Sequence, residues 1–405
     1  MGFCYCCKDL LLATSLFTCT GGSWTDPSRD VVINSQCDPS SVSPAIENPK
    51  DATELHPAHF KYALAIGDSI TAAALAKGGP LEYRQISWSG GSGGPDSYTM
   101  PYLVKQYSRS LIGPARGNFQ WDQLGPCCGK APWWSGIEGA NNQLNAALSG
   151  QLARDWKLET DHLTDLVSGK GFGKAGFGGF PKWNQDEQAH YRQSWKILTV
   201  FLGMNDVLTT PDACSGEEWK RSAIVDGYAR HMNDLFDHLA ADKDGVFKNV
   251  YINLVMLFRT SYMGLQNTQQ GWCKLSGDTF LKSEFPCMRN GGDVEAKGAL
   301  VDKVTSQMND ELVEIARKYD QIRPDFAVNL VQTLANQQIT HEDLRSSIDC
   351  FHPTAKAHRI LGVGLWNAML KPSYPQAIDD LQRMPDCIDN HTRLVTYNRA
   401  SAVIV

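Results

Sequence analysis

Four short stretches hold residue types that can carry out acyl transfer, and each falls at an element boundary. Gly67-Asp68-Ser69 follows the run 61–66, KYALAI. A serine there stands exposed above a strand end, with its backbone N–H in the same space, and ligands of open α/β sheets bind at the carboxyl ends of strands. Taken singly, the tripeptide reads equally as a helix N-cap. Gly203-Met204-Asn205-Asp206 follows the run 195–202, WKILTVFL. The Asn205 amide can donate to a developing oxyanion; a turn residue held by local hydrogen bonds is the plainer alternative. Asp349-Cys350-Phe351-His352-Pro353 places an acid three residues before an imidazole. In a helical turn that spacing lets the carboxylate hold the imidazole tautomer and stabilise its protonated form. A solvated acid and a satisfied histidine would explain the segment on its own. Leu144–Gly150, LNAALSG, reads as a short strand ending at a glycine, whose N–H can approach a ligand closely.

These stretches need a scaffold that brings strand ends together. The run 61–66 predicts a strand, and 71–77 (TAAALAK) is rich in helix formers, so strand, tight turn and helix are expected around Ser69. Residues 86–99 are rich in Gly and Ser and must be loop; 168–181 is a second glycine-rich stretch. Helical periodicity resumes from Asp155. Continuous apolar runs predict buried parallel strands over 195–202, 250–257 and 325–331. Helices are expected over 217–240, 295–318 and 355–370. Strands that alternate with helices predict a parallel sheet with helices on both faces. With no internal repeat and no interdomain linker, one domain with loop insertions is expected over 56–390. Before it come a possible signal peptide or anchor (1–22) and an extended leader (23–55), and after it a tail (391–405).

Composition narrows the classes. Of 405 residues, 42% are hydrophobic and 20% charged, which excludes a disordered chain. The net charge of −6 argues against a nucleic-acid partner. No apolar run approaches the roughly 20 residues of a membrane-spanning helix. Of twelve cysteines, four lie within the first nineteen residues, and none of the other eight has zinc-ligand spacing. Disulfides in an oxidising compartment are expected. Leu10–Cys19 has the length of a signal-peptide apolar region, although Asp9 offsets Lys8. The sequon Asn390-His391-Thr392 fits secretion, with membrane association as the alternative. The literal Gly171-x-Gly173-x-x-Gly176 match follows no buried strand, so no dinucleotide cofactor is expected. Asp242–Gly245 lacks the remaining ligands of a calcium loop, so no metal is expected either. Trp121, Trp133, Trp134, Phe172, Phe177 and Phe180 read as loop anchors or as a lipid-contacting rim.

In the order Ser, Gly, Asn, Asp-His, the four stretches resemble the SGNH or GDSL hydrolases. Within that family the chain is similar to the phospholipase B group of animal lipases. The shared residues are SWS at 87–89, LNAALSG at 144–150, SWKILTVFLGMND at 194–206, RPDFAV at 323–328, DCFHPTAKAH at 349–358 and LWNAML at 365–370. The resemblance covers roughly residues 37–390. Met204 stands where small residues are common, and the 168–181 loop looks like an addition. The resemblance implies a three-layer α/β/α, flavodoxin-like fold around a central parallel sheet. It implies Ser69 as nucleophile, His352 as general base and then acid, and Asp349 as its orienting carboxylate. Ser69 N–H, Gly150 N–H and the Asn205 amide would form the oxyanion hole, and Asp68 would support the turn. The implied reaction is hydrolysis of phospholipid or lysophospholipid acyl esters through an acyl-enzyme, with peripheral contact to a lipid surface. A carbohydrate O-acetyl or other small ester is the alternative substrate, and a catalytically silent binding protein the alternative class. Cys37 and Cys387 flank the matched region, and a bond between them would tie its ends together.

Overall fold

The computed structural model describes residues 37–43, 46–79, 81–117, 119–120, 143–169, 183–265, 285–289, 292–381 and 384–401. Four parallel strands form the central sheet: β1 (Phe60–Gly67), β4 (Trp195–Phe201), β5 (Val250–Val255) and β6 (Phe326–Val331), side by side in that order. Leu81–Glu82 (β2) and Phe119–Gln120 (β3) make a separate antiparallel pair. The runs IAVL-rich on every residue become strands buried on both faces, because helices cover each side. On one side α5 (Glu218–Ala241) packs on α6 (Val294–Tyr319), and α2 (Trp156–Val167) packs on α5 and β1. Elsewhere α7 (Ala355–Leu370) packs on α1 (Met100–Tyr107) and β6. The core runs through Ile66, Val200, Ile252, Val328, Leu312 and Trp366. Each such side chain contributes about 1.5–3 kcal/mol by leaving water.

The other edge of β1 carries two irregular rungs. Ala63 N–H donates to Ile112 O at 2.9 Å, and Ala65 N–H to Leu144 O at 3.1 Å. Ala146 and Leu148 N–H return to Ala65 O and Gly67 O, both at 2.9 Å. The expected strand 144–148 is therefore an extended segment running parallel to β1. The chain leaves β1, pairs on this edge, then crosses to β4 on the other. That makes β1 a topological switch point, where a crevice opens beyond the strand ends.

Three expectations change. No helix forms over 71–77; the segment is a series of turns with Ala73 and Leu75 at positive φ. The alanines favour helix, but Leu75 N–H bonds Leu81 O and Tyr83 N–H bonds Ala73 O, and that pairing overrides local propensity. The chain around residues 37–55 is no free leader: Val42, Ala52 and Leu55 are buried. Nor is 391–396 a tail, since Leu394 is buried, its N–H bonds Leu55 O, and Tyr251 donates to Val395 O. Cys37 and Cys387 are bonded, with Cα atoms 5.1 Å apart; Cys214 and Cys287 form a second disulfide. Residues 1–22, most of the 168–181 loop, and the six loop aromatics from Trp121 to Phe180 lie outside the described residues.

Candidate active site

β1 ends at Gly67, which leaves no room for a side chain. A Cβ there would lie 2.8 Å from Phe201 O and closer still to the Thr71 side chain. The close approach lets the chain turn sharply into Asp68-Ser69. Asp68 is buried and holds the turn by accepting the Ile70 N–H at 2.9 Å. Ser69 N–H therefore stands at a turn and not at a helix N-terminus, so no helix dipole acts there.

Ser69 Oγ lies 2.7 Å from His352 Nε2. His352 Nδ1 contacts Asp349 Oδ2, and Asp349 Oδ1 accepts the N–H groups of Phe351 and His352 at 3.0 and 3.1 Å. All three side chains are buried. The structure thus brings Ser69, His352 and Asp349 into one hydrogen-bonded chain. The local conformation is not the helical turn expected. Cys350 sits at φ 59°, and the Asp349 carboxylate closes the turn itself. Helix α7 starts only after Thr354, which caps it. Cys350 is itself disulfide-bonded. Phe351 packs edge-on to the His352 ring and continues through Phe258 and Phe201 to Trp88, an aromatic wall behind the imidazole. His358 accepts from Trp88 N–H at 3.4 Å; burial and then the nearby His352 push its pKa down to about 3, so it stays neutral.

Gly150 and Asn205 lie on neighbouring segments, the first just beyond the stretch paired with β1 and the second just beyond β4. Gly150 has φ 82°, and a Cβ there would meet nothing within 4 Å, so its surroundings are open. Asn205 lies in the first turn of the short helix Met204–Leu208. Its Nδ2 donates to Gln151 O at 3.0 Å, and Asp206 Oδ2 accepts the Ala153 N–H at 2.8 Å. The two polar residues of the Gly-x-Asn-Asp stretch therefore clamp the chain that follows Gly150. Burial, slightly offset by that N–H, raises the Asp206 pKa to about 6.

Two buried groups were not singled out from the sequence. Arg84 donates to Asn145 O and Ala147 O at 3.1 and 2.7 Å and pairs with Glu82, which also accepts from Ser149 Oγ. This pair fixes the segment that delivers Gly150. Glu159 accepts the Gly67 N–H at 2.7 Å. A signal for it exists: Glu159 shares the inner face of α2 with Leu163, Leu166 and Val167, where an acid is out of place.

The profile of the GDSL-like Lipase/Acylhydrolase family matches residues 64–364, well over half of the chain. The chain belongs to that family. The parallel sheet with its packed helices is the α/β layered fold expected of that family. Among curated proteins the chain is similar to human "Phospholipase B1, membrane-associated", 26% identical over 363 residues, which cover 82% of this chain and 21% of the human protein. The rat protein of the same name is 25% identical over 380 residues, covering 88% of this chain and 22% of its own length. This GDSL chain thus spans about a fifth of the length of the curated relatives it matches.

Proposed function

We propose that the protein hydrolyses acyl esters of phospholipids or lysophospholipids, with Ser69 as the nucleophile. The observation that carries the reading is the Ser69 Oγ to His352 Nε2 separation of 2.7 Å, with a buried carboxylate on the far ring nitrogen. Ser69 Oγ attacks the ester carbonyl as His352 takes its proton. Asp349 keeps the imidazole tautomer that accepts at Nε2 and stabilises the imidazolium that forms. The developing oxyanion faces Ser69 N–H, Gly150 N–H and the Asn205 amide; Gln151 O holds one amide proton and leaves the other to donate. Collapse of the tetrahedral intermediate expels the alcohol with the proton from His352. Water, deprotonated by the same imidazole, then releases the fatty acid and restores Ser69.

The printed names of the relatives support the phospholipid reading, and the disulfides fit secretion into an oxidising compartment. Peripheral contact with a lipid surface follows from such a substrate. The test is release of fatty acid from a phosphatidylcholine emulsion by wild type and Ser69→Ala side by side. Release by wild type alone is expected. If neither releases acid, but wild type alone cleaves a short-chain aryl acetate, the site assignment stands and the lipid substrate does not.

A further inference from the structure

The edge of β1 loses one rung just before the nucleophile. In the parallel ladder with 144–148, Ala65 N–H bonds Leu144 O, Ala146 N–H bonds Ala65 O, and Leu148 N–H bonds Gly67 O. The register assigns the Gly67 N–H to Ala146 O. It bonds instead to Glu159 Oε2 at 2.7 Å, a side chain from α2. The two carbonyls flanking Ala146 O are turned outward to Arg84. The opening is a single rung, because Leu148 N–H still bonds Gly67 O beyond it, where the segment runs on to Gly150. A buried N–H left without an acceptor costs about 1–3 kcal/mol, so the opening needs a substitute acceptor.

We propose that Glu159 is the positioning residue of the nucleophile turn, a carboxyl that replaces the missing ladder carbonyl and fixes Gly67 two residues before Ser69. This rests on the reading that Ser69 is the nucleophile. Glu159 acts through the backbone and touches no substrate. Its role needs an oxygen acceptor and no charge. The carboxyl is fully buried, and its other oxygen has no hydrogen-bond partner among the described residues. Burial above all, and then Asp68 nearby, hold its pKa well above the usual carboxylate range against the pull of the Gly67 N–H and of Arg84. Asp155 adds to the upward push. Glutamine keeps the oxygen acceptor in place of the carboxyl and carries no charge.

The experiment compares wild type, Glu159→Gln and Glu159→Met, which keeps the volume and removes the acceptor. The readouts are the rate at which an aryl phosphonate labels Ser69, located by peptide mass, and kcat and KM for a short-chain aryl ester from pH 6 to 9. Because a 1 Å misplacement can cost about 100-fold, Glu159→Met is expected to lower labelling and kcat by about 10–100-fold per folded molecule, with KM within about threefold. Glu159→Gln is expected to keep the wild-type rate and both limbs of its pH profile. Wild-type labelling in Glu159→Met would reduce Glu159 to a packing residue and overturn the proposal. So would a loss in Glu159→Gln, which is readable even if the methionine variant does not fold. Wild type that labels elsewhere than at Ser69 would instead remove the nucleophile assignment.

Discussion

Asp68→Asn isolates what burial does to a carboxyl beside the nucleophile. Asp68 is fully enclosed; Oδ1 accepts the Ile70 N–H and Oδ2 has no hydrogen-bond partner among the described residues. Burial raises its pKa from 3.8 to about 7, and the Asp206 charge adds to this, while the Ile70 N–H and His352 oppose it. A folded pKa above the unfolded one means that the native state binds the extra proton between pH 4 and 7. Stability from this group is therefore greatest below pH 4 and is lost as pH rises through that window, with the full penalty above it. From 3.8 and 7, the penalty is about 1.7 kcal/mol at pH 5 and about 4 kcal/mol at pH 8, at 1.36 kcal/mol per pKa unit. Asparagine keeps the Oδ1 acceptor and removes the ionisation, so its own effect is a constant offset. Urea unfolding with disulfides intact, at pH 5 and pH 8, should show the variant gaining about 2–3 kcal/mol on wild type between the two pH values. Glu159 and Asp206 remain in both proteins, and their titration cancels to first order. A stability difference that does not change with pH would refute the burial argument. One that shrinks as pH rises would show that the Asp68 charge is stabilised.

Asn205→Ala removes a donor to the oxyanion and should lower kcat on a soluble ester by about 10²–10³ with little change in KM, as steady-state kinetics will show. An equal rise in KM at constant kcat would make Asn205 a substrate contact only. Cys37→Ser with Cys387→Ser opens a bridge spanning 350 residues. Calorimetry should show a loss of about 2–5 kcal/mol, with the chain-entropy figure for so long a loop near the upper end.

The sheet was legible because its strands are continuous apolar runs, and runs such as 195–202 and 250–257 have no other home than a doubly covered sheet. The serine and asparagine stretches were legible because each ends such a run, and the Asp-His pair because of its spacing before Pro353. The turns after Ser69 were not. TAAALAK favours helix locally, and only the pairing of residues 73–75 with Leu81 and Tyr83, beyond the reach of helix propensity, decides otherwise. The left-handed Cys350 was hidden for the same kind of reason: a carboxylate that bonds two N–H groups replaces a helical turn. Arg84 and Glu82 look like surface charges in sequence. Their burial depends on carbonyls of 145–147, more than sixty residues away.

The bond between Cys37 and Cys387 also sets how the body carries load. A pull on the chain before residue 37 and after residue 387 would peel the packed stretch 391–396 away from Leu55 and then stop at the sulfurs. Force would travel through one covalent link with its Cα atoms 5.1 Å apart, and the strands between the two cysteines would stay slack. Drawn taut from both sides, the domain would hang as a closed loop on the line, with the Ser69 turn under no tension.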